Sequence, residues 1–198
     1  MCIRDRTITA QRLGEVVSVE GAVLGARSFS HGFAFTLDDG TGQIELLMWH
    51  AVYDDCWDAG EINLGATVRA TGEIGQYEGV LQIEPDFGGD VKVSAAAAPA
   101  PPRCQIGSLT SDDEGQRVTI EGTVIRVEGR DAWAKIFVGD DTGEIAVFIF
   151  RNVLDRILKN TALGAPGSRV RVVGPVVVYQ GNLEIAPVLP YDVRVLSE

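Results

Sequence analysis

Asp38-Asp39-Gly40-Thr41-Gly42-Gln43-Ile44 returns as Gly139-Asp140-Asp141-Thr142-Gly143-Glu144-Ile145, 101 residues further along the chain. Asp and Gly supply the positive φ and the local hydrogen bonds that a hairpin turn needs. Upstream of the first turn, Phe33, Phe35 and Leu37 alternate with Gly32, Ala34 and Thr36. Downstream, Ile44, Leu46 and Met48 continue the alternation. The second copy repeats the pattern with Ile136 and Val138, then Ile145, Val147 and Ile149. Period-two alternation on both sides of a tight turn predicts two half-buried strands in a hairpin. Phe33 and Phe35 share the phase of Leu37 and are expected in the core.

The repetition extends outward. Gly14-Glu15-Val16-Val17-Ser18-Val19-Glu20-Gly21 matches Gly115-Gln116-Arg117-Val118-Thr119-Ile120-Glu121-Gly122. Tyr77-Glu78-Gly79-Val80-Leu81-Gln82-Ile83-Glu84-Pro85 matches Tyr179-Gln180-Gly181-Asn182-Leu183-Glu184-Ile185-Ala186-Pro187 after one inserted residue. Solenoid units run about 20–50 residues, so this longer period is that of a small domain. Between the copies lies Ser94-Ala95-Ala96-Ala97-Ala98-Pro99-Ala100-Pro101-Pro102, aperiodic and rich in Ala and Pro. Such a stretch reads as a semi-rigid linker. The expected organisation is a domain over 7–94, a linker over 95–103 and a domain over 104–198.

After the third strand each copy has one helix-sized insert, at His50–Ala59 and at Asn152–Thr161. In the second, Val153, Ile157 and Leu158 fall at helical spacing with Leu154 beside them. Strands are then expected at Thr67–Ile74 with Leu81–Ile83, and at Arg169–Val178 with Leu183–Ile185, each pair joined by a tight Tyr-x-Gly turn. The order strand-strand-strand-helix-strand-strand predicts an all-β chain with one short helix per domain. It fits two tandem five-stranded Greek-key barrels. The hairpin Leu37–Ile44, its counterpart Val138–Ile145 and the two Tyr-x-Gly-x-Leu-x-Ile stretches resemble the OB-fold. Similar hairpins occur in replication protein A, in tRNA anticodon-binding domains and in bacterial DNA polymerase III. The chain also resembles uncharacterised bacterial proteins with tandem OB-fold nucleic-acid-binding repeats.

That resemblance implies a ligand face on strands 2 and 3, clasped by the loops between strands 1 and 2 and between strands 4 and 5. In the first copy the loops hold Arg27, Phe29 and His31, and then Tyr77. In the second they hold Arg130 and Trp133, with Arg126 leading in, and then Tyr179. Lys135 and Phe148 lie on the strands between. Single-stranded nucleic acid is gripped by rings that stack on bases and by cations that track phosphates. The implied partner is therefore single-stranded DNA or RNA, bound weakly and salt-sensitively. Tyr77 and Tyr179 either meet the ligand or pack the base of their hairpins. Trp49 and Phe150 precede the helices and are expected to plug the barrel end.

Charge divides the two copies. The 198 residues hold 28 Asp+Glu against 17 Lys+Arg, a net of −11, which is not the profile of a protein that binds nucleic acid by bulk charge. Residues 1–94 carry 6 basic and 15 acidic side chains, a net of −9. Residues 95–198 carry 11 and 13, a net of −2. Nucleic acid is thus expected mainly on domain 2, and acidic domain 1 suits a protein partner. Hydrophobic residues at 45% and charged residues at 23% exclude a disordered or fibrous chain. No apolar run approaches the roughly 20 residues that span a bilayer, so no membrane partner is expected.

No catalytic constellation is visible: Walker A, GxSxG, HExxH and GxGxxG are all missing. The chain therefore reads as a binding module without cofactor or metal. The alternatives are a structural or protein-interaction OB module, or an accessory fragment of a larger nuclease or helicase. His50, Asp54, Asp55 and Cys56 cluster in sequence, but the second copy has Arg151, Asp155, Arg156 and Ile157 there. A polar helix face is the expectation for these residues rather than a zinc site. Cys2, Cys56 and Cys104 match no zinc or redox spacing; Cys56 and Cys104 are read as free thiols, with a single Cys56–Cys104 bridge as the alternative. The opening Met1-Cys2-Ile3-Arg4-Asp5-Arg6 has no apolar core of a signal peptide behind it. It resembles translated adapter sequence at the edge of a metagenomic assembly, which would put the natural N-terminus elsewhere and leave a cytoplasmic or exported location open.

Overall fold

The structure is a computed structural model that describes residues 8–97 and 99–197. The adapter-like opening, Cys2 and residue 98 of the Ala/Pro stretch lie outside the described residues. The chain divides into two compact units after residue 98.

In the first unit β1 (Val16–Phe29), β2 (Gly32–Asp38) and β3 (Gln43–Trp49) form an antiparallel meander. A helix α1 (His50–Asp55) leads to β4 (Thr67–Tyr77) and β5 (Val80–Glu84). β5 pairs in parallel with β3, β4 pairs with β1, and the sheet closes on itself. The second unit repeats this with β7 (Arg117–Arg130), β8 (Trp133–Asp140), β9 (Gly143–Phe150), α2 (Arg151–Leu154), β10 (Arg169–Tyr179) and β11 (Asn182–Ile185). These are the five strands expected, in the closed order of an OB barrel.

A sixth strand in each unit was not anticipated. β6 (Val91–Ala95) pairs with β4, and β12 (Val193–Ser197) pairs with β10. Each new strand takes the part of its partner that β5 or β11 leaves open. Of the Ala/Pro stretch, Ala95 ends β6, while Thr119 Oγ donates to the carbonyl of Pro101 at 2.7 Å and Arg103 bridges Thr119.

The alternation places the cores. Phe33, Phe35, Leu37, Leu46 and Met48 are fully buried in the first barrel, as are Ile136, Val138, Val147 and Ile149 in the second. Parity then corrects two expectations. Met48 and Ile149 point inward, so their neighbours Trp49 and Phe150 point outward; they are 44% and 50% exposed and plug nothing. The inserts are also less helical than predicted. α2 stops at Leu154, and Lys159 adopts a left-handed φ of 61° that starts a new turn. Val153, Leu154 and Ile157 are buried there, but Leu158 is 87% exposed rather than on the apolar face.

Both barrels share two local devices. A register shift after Val23 and after Val124 bends the long first strand, so that one strand serves both sides of the barrel. The Tyr-x-Gly turns place two successive residues at positive φ: Glu78 and Gly79 at 49° and 86°, Gln180 and Gly181 at 50° and 81°. This two-residue turn matches the twist of the flanking strands, and glycine carries its second position without strain.

Candidate nucleic-acid interface

The outward face of barrel 2 is built by strand parity. Register pairs Arg130 with Trp133, Glu128 with Lys135 and Arg126 with Phe137 across β7 and β8. The next ladder pairs Trp133 with Phe150, Lys135 with Phe148 and Phe137 with Ala146 across β8 and β9. The face closes on β10 and β11, where Tyr179 pairs with Asn182 at the turn.

The aromatic residues on this face touch one another. Trp133 and Phe148 lie with ring centroids 5.7 Å apart and planes 32° apart. Phe148 meets Phe150 edge-on at 5.1 Å. The three rings form a continuous apolar row on the outside of a barrel whose interior is already full. Lys135 sits 5.7 Å over the ring of Tyr179, which is 55% exposed and does not pack under its hairpin.

The cations differ in how they are held. Arg126 lies 3.2 Å from the centroid of the Phe137 ring and donates to Glu144 at 2.9 Å. Both ends of that ion pair are exposed, so the pair is worth at most about 1 kcal/mol and exchanges readily with another anion. Lys135 donates to Glu184 at 2.6 Å, and Glu184 is only 5% exposed, so this pair is more firmly fixed. Arg130 is exposed and makes no ion pair among the described residues; its backbone carbonyl accepts from Arg151 at 3.1 Å.

In barrel 1 the corresponding side chains line a groove of about 470 Å³ that includes Arg27, Phe29, His31, Trp49 and Tyr77. Phe29 and Trp49 meet edge to face at 5.7 Å, and Arg27 lies 5.6 Å over Phe29. Arg27 is clamped on Glu45, donating Nε to Oε2 at 3.1 Å and Nη2 to Oε1 at 2.7 Å. Gln82 also donates to Glu45. His31 shares a 2.7 Å hydrogen bond with Ser30 at the loop tip. Tyr77 is 63% exposed. The structure thus brings all four first-copy candidates onto one face, with their arginine charge already matched.

Trp49, Phe150 and Phe137 also belong to these faces and were not among the expected residues. The signal was available in phase alone. Trp49 lies two residues from Leu47 and four from Glu45, in the phase opposite to the core residues Leu46 and Met48.

The paired aspartates at the turns serve structure. Asp39 Oδ1 accepts from the Thr41 N–H at 2.7 Å. Asp140 Oδ1 accepts from the Thr142 N–H, the Thr142 hydroxyl and the Gly143 N–H, and its Oδ2 accepts from the Ile106 N–H at 3.0 Å. Desolvation works against the Asp140 charge, but these hydrogen bonds outweigh it and hold its carboxyl at about 2. His50 and Asp54 do lie on α1, while Cys56 follows its end and is buried, its thiol pushed up by desolvation. Among the described residues no group of three or more His, Cys, Asp and Glu side chains is placed to hold a metal ion, and no helix is long and apolar enough to cross a membrane.

Among curated protein sequences, none matches the chain. Solved structures with similar folds include the p204 HINb domain, at 16% identity and TM-score 0.39, covering 95% of this chain and 100% of that one. A domain of replication protein A from Methanococcus maripaludis matches at 20% identity and TM-score 0.39, over 49% of this chain and 98% of that one. Asparaginyl-tRNA synthetase from Pyrococcus horikoshii matches at 20% identity and TM-score 0.42, over 48% of this chain and only 22% of the synthetase. The family described as OB-fold nucleic acid binding domain matches residues 17–87 and again residues 118–187. With a match in each barrel that together span most of its length, the chain belongs to the family of OB-fold nucleic acid binding domains.

Proposed function

We propose that this protein is a non-catalytic binding module that engages single-stranded DNA or RNA along the β8–β9 face of barrel 2, weakly and with strong salt dependence. The observation that carries the reading is the row Trp133–Phe148–Phe150 on the outer face, with the ion-pair-free Arg130 beside Trp133. Phe150 is exposed and Trp133 and Phe148 are half-buried, so the row offers ring surface to successive bases, each stacked base contributing about 1–3 kcal/mol whatever its identity. Arg130 and the exchangeable Arg126 supply the contacts to phosphate. The modest number of cations sets the expectation of weak binding, and stacking on rings, which every base can do, sets the expectation of little sequence readout.

Anisotropy of labelled oligo(dT) and oligo(U), titrated with the full chain across a salt series, tests the reading. Binding that weakens steeply with salt supports it. No binding of either strand at low salt overturns it.

A further inference from the structure

The equivalent face of barrel 1 has a different chemistry, and it leads to a second ligand. Its groove is lined by Leu47, Phe29, Trp49, Tyr77 and Glu84, together with Arg27. Its arginine, Arg27, is consumed by the bidentate pair with Glu45. The carboxylate of Glu84 lies over Gly75, where even a Cβ would collide with it. Glu84 is the direct cross-strand partner of Glu73, and neither makes an ion pair among the described residues. Like charges set opposite each other on a sheet destabilise it unless a cation comes between them.

Barrel 2 keeps rings at two of these positions, Phe150 for Trp49 and Tyr179 for Tyr77, but not the carboxylates. Pro175 and Ala186 stand where barrel 1 has Glu73 and Glu84, and Arg130 stands where it has Phe29. The contrast therefore lies in the grooves themselves as well as in the net charge of −9 over residues 1–94. A phosphate chain entering groove 1 would meet the unmatched carboxylate of Glu84. A cationic side chain would meet aromatic faces and a carboxylate, the combination that holds ammonium and guanidinium groups.

We infer that the groove of barrel 1 binds an extended basic peptide segment, with a lysine or arginine stem lying against Trp49 and Tyr77 and its cationic head at Glu84. The long apolar stem of such a side chain suits the ring walls, and its charged end suits the acidic side. This site is independent of the nucleic-acid reading, because it uses another barrel and another ligand.

The test is anisotropy of a labelled peptide of alternating glycine and arginine against the full chain, with a glycine–glutamate peptide as its counterpart. The arginine peptide is expected to bind and the glutamate peptide not. Trp49→Ala and the near-isosteric Glu84→Gln are each expected to weaken the arginine peptide about fivefold or more, while Arg130→Ala leaves it unchanged. An unchanged thermal midpoint for Glu84→Gln separates loss of the site from loss of the fold. Failure of the arginine peptide to bind overturns the proposal, as does binding that survives both barrel 1 substitutions. So does oligo(dT) binding that is lost in Trp49→Ala and kept in Trp133→Ala, which would make groove 1 the nucleic-acid site instead.

Discussion

Arg130 faces Trp133 across the end of the β7–β8 ladder, and the same two positions in barrel 1 hold Phe29 and Gly32. One copy thus sets a cation beside a ring at the mouth of its face, where the other sets a ring beside a bare backbone. Trp133→Ala is expected to cost about 1–3 kcal/mol of oligonucleotide binding, the worth of one stacked base. Arg130→Ala should make the plot of log affinity against log salt shallower by about 0.7, the value of one phosphate contact on a single strand. Phe29→Ala should change neither quantity. A salt slope that Arg130→Ala leaves intact would remove Arg130 from the interface.

The Lys135–Glu184 pair leads to an unusual gain of binding. Barrel 1 places Gln82 where barrel 2 has Glu184, and both residues are buried at the β5 and β11 junctions. The fold therefore accepts an amide at this position. Glu184→Gln should release Lys135 from its carboxylate and add one unit of positive charge beside Phe148. The expected result in the same titration is tighter oligonucleotide binding and a steeper salt slope. Equal or weaker binding by a variant with unchanged thermal stability would show that Lys135 does not meet the strand.

The fold was legible because the repeat displays each hairpin twice, and because Phe33, Phe35 and Leu37 keep strict alternation up to an Asp-Gly turn. The sixth strands were hidden by their position: Val91-Lys92-Val93 and Val193-Arg194-Val195 alternate, but only briefly and next to a Pro-rich stretch or the end of the chain. Arg27, Phe29, Arg130 and Trp133 were expected in loops, but they lie on β1, β7 and β8, because the first strand of each barrel runs on until only residues 30–31 or 131–132 are left for the turn. The pairing of charges was not legible. That Glu184 holds Lys135 depends on the parallel contact of β9 with β11, which joins residues far apart in sequence, and that Glu45 pairs with Arg27 depends on two side chains meeting across β2. Trp49 was misplaced because it was judged by its nearness to the helix rather than by its phase in the strand.

Barrel 2 should also prove sensitive at a buried ion pair that barrel 1 lacks. Arg117 Nη2 donates to Asp192 Oδ1 at 2.6 Å, and the other carboxylate oxygen accepts from the N–H groups of Val188 and Leu189. Burial pushes the Asp192 carboxyl up from its usual value, and Arg117 opposes that shift. The first copy has Val16 at the position of Arg117. Arg117→Leu would leave the carboxylate buried without its counter-charge, at a cost of about 3–5 kcal/mol. Urea unfolding should show the transition of unit 2 moving to lower denaturant while that of unit 1 stays in place. A shift below about 1 kcal/mol would mean that the two backbone N–H groups suffice.

Asp140 gives barrel 2 a defined response to acid. Its folded-state value of about 2 lies below that of an unfolded aspartate, about 3.9. A depressed carboxylate contributes stability that is fully present above the unfolded value and lost as pH falls through the folded one. The loss should therefore run from about pH 4 down to about pH 2. Its physical content is the release of the Thr142, Gly143 and Ile106 donors as the carboxylate is protonated. Asp140→Asn keeps the shape but replaces the anion with a weaker acceptor. The variant should be less stable than the parent at neutral pH, and the gap should narrow steadily between pH 4 and pH 2. Parallel urea titrations of the two proteins across that range measure it. A gap that stays constant with pH would show that Asp140 acts through shape alone and that its charge does not anchor the Ile106 segment to the turn.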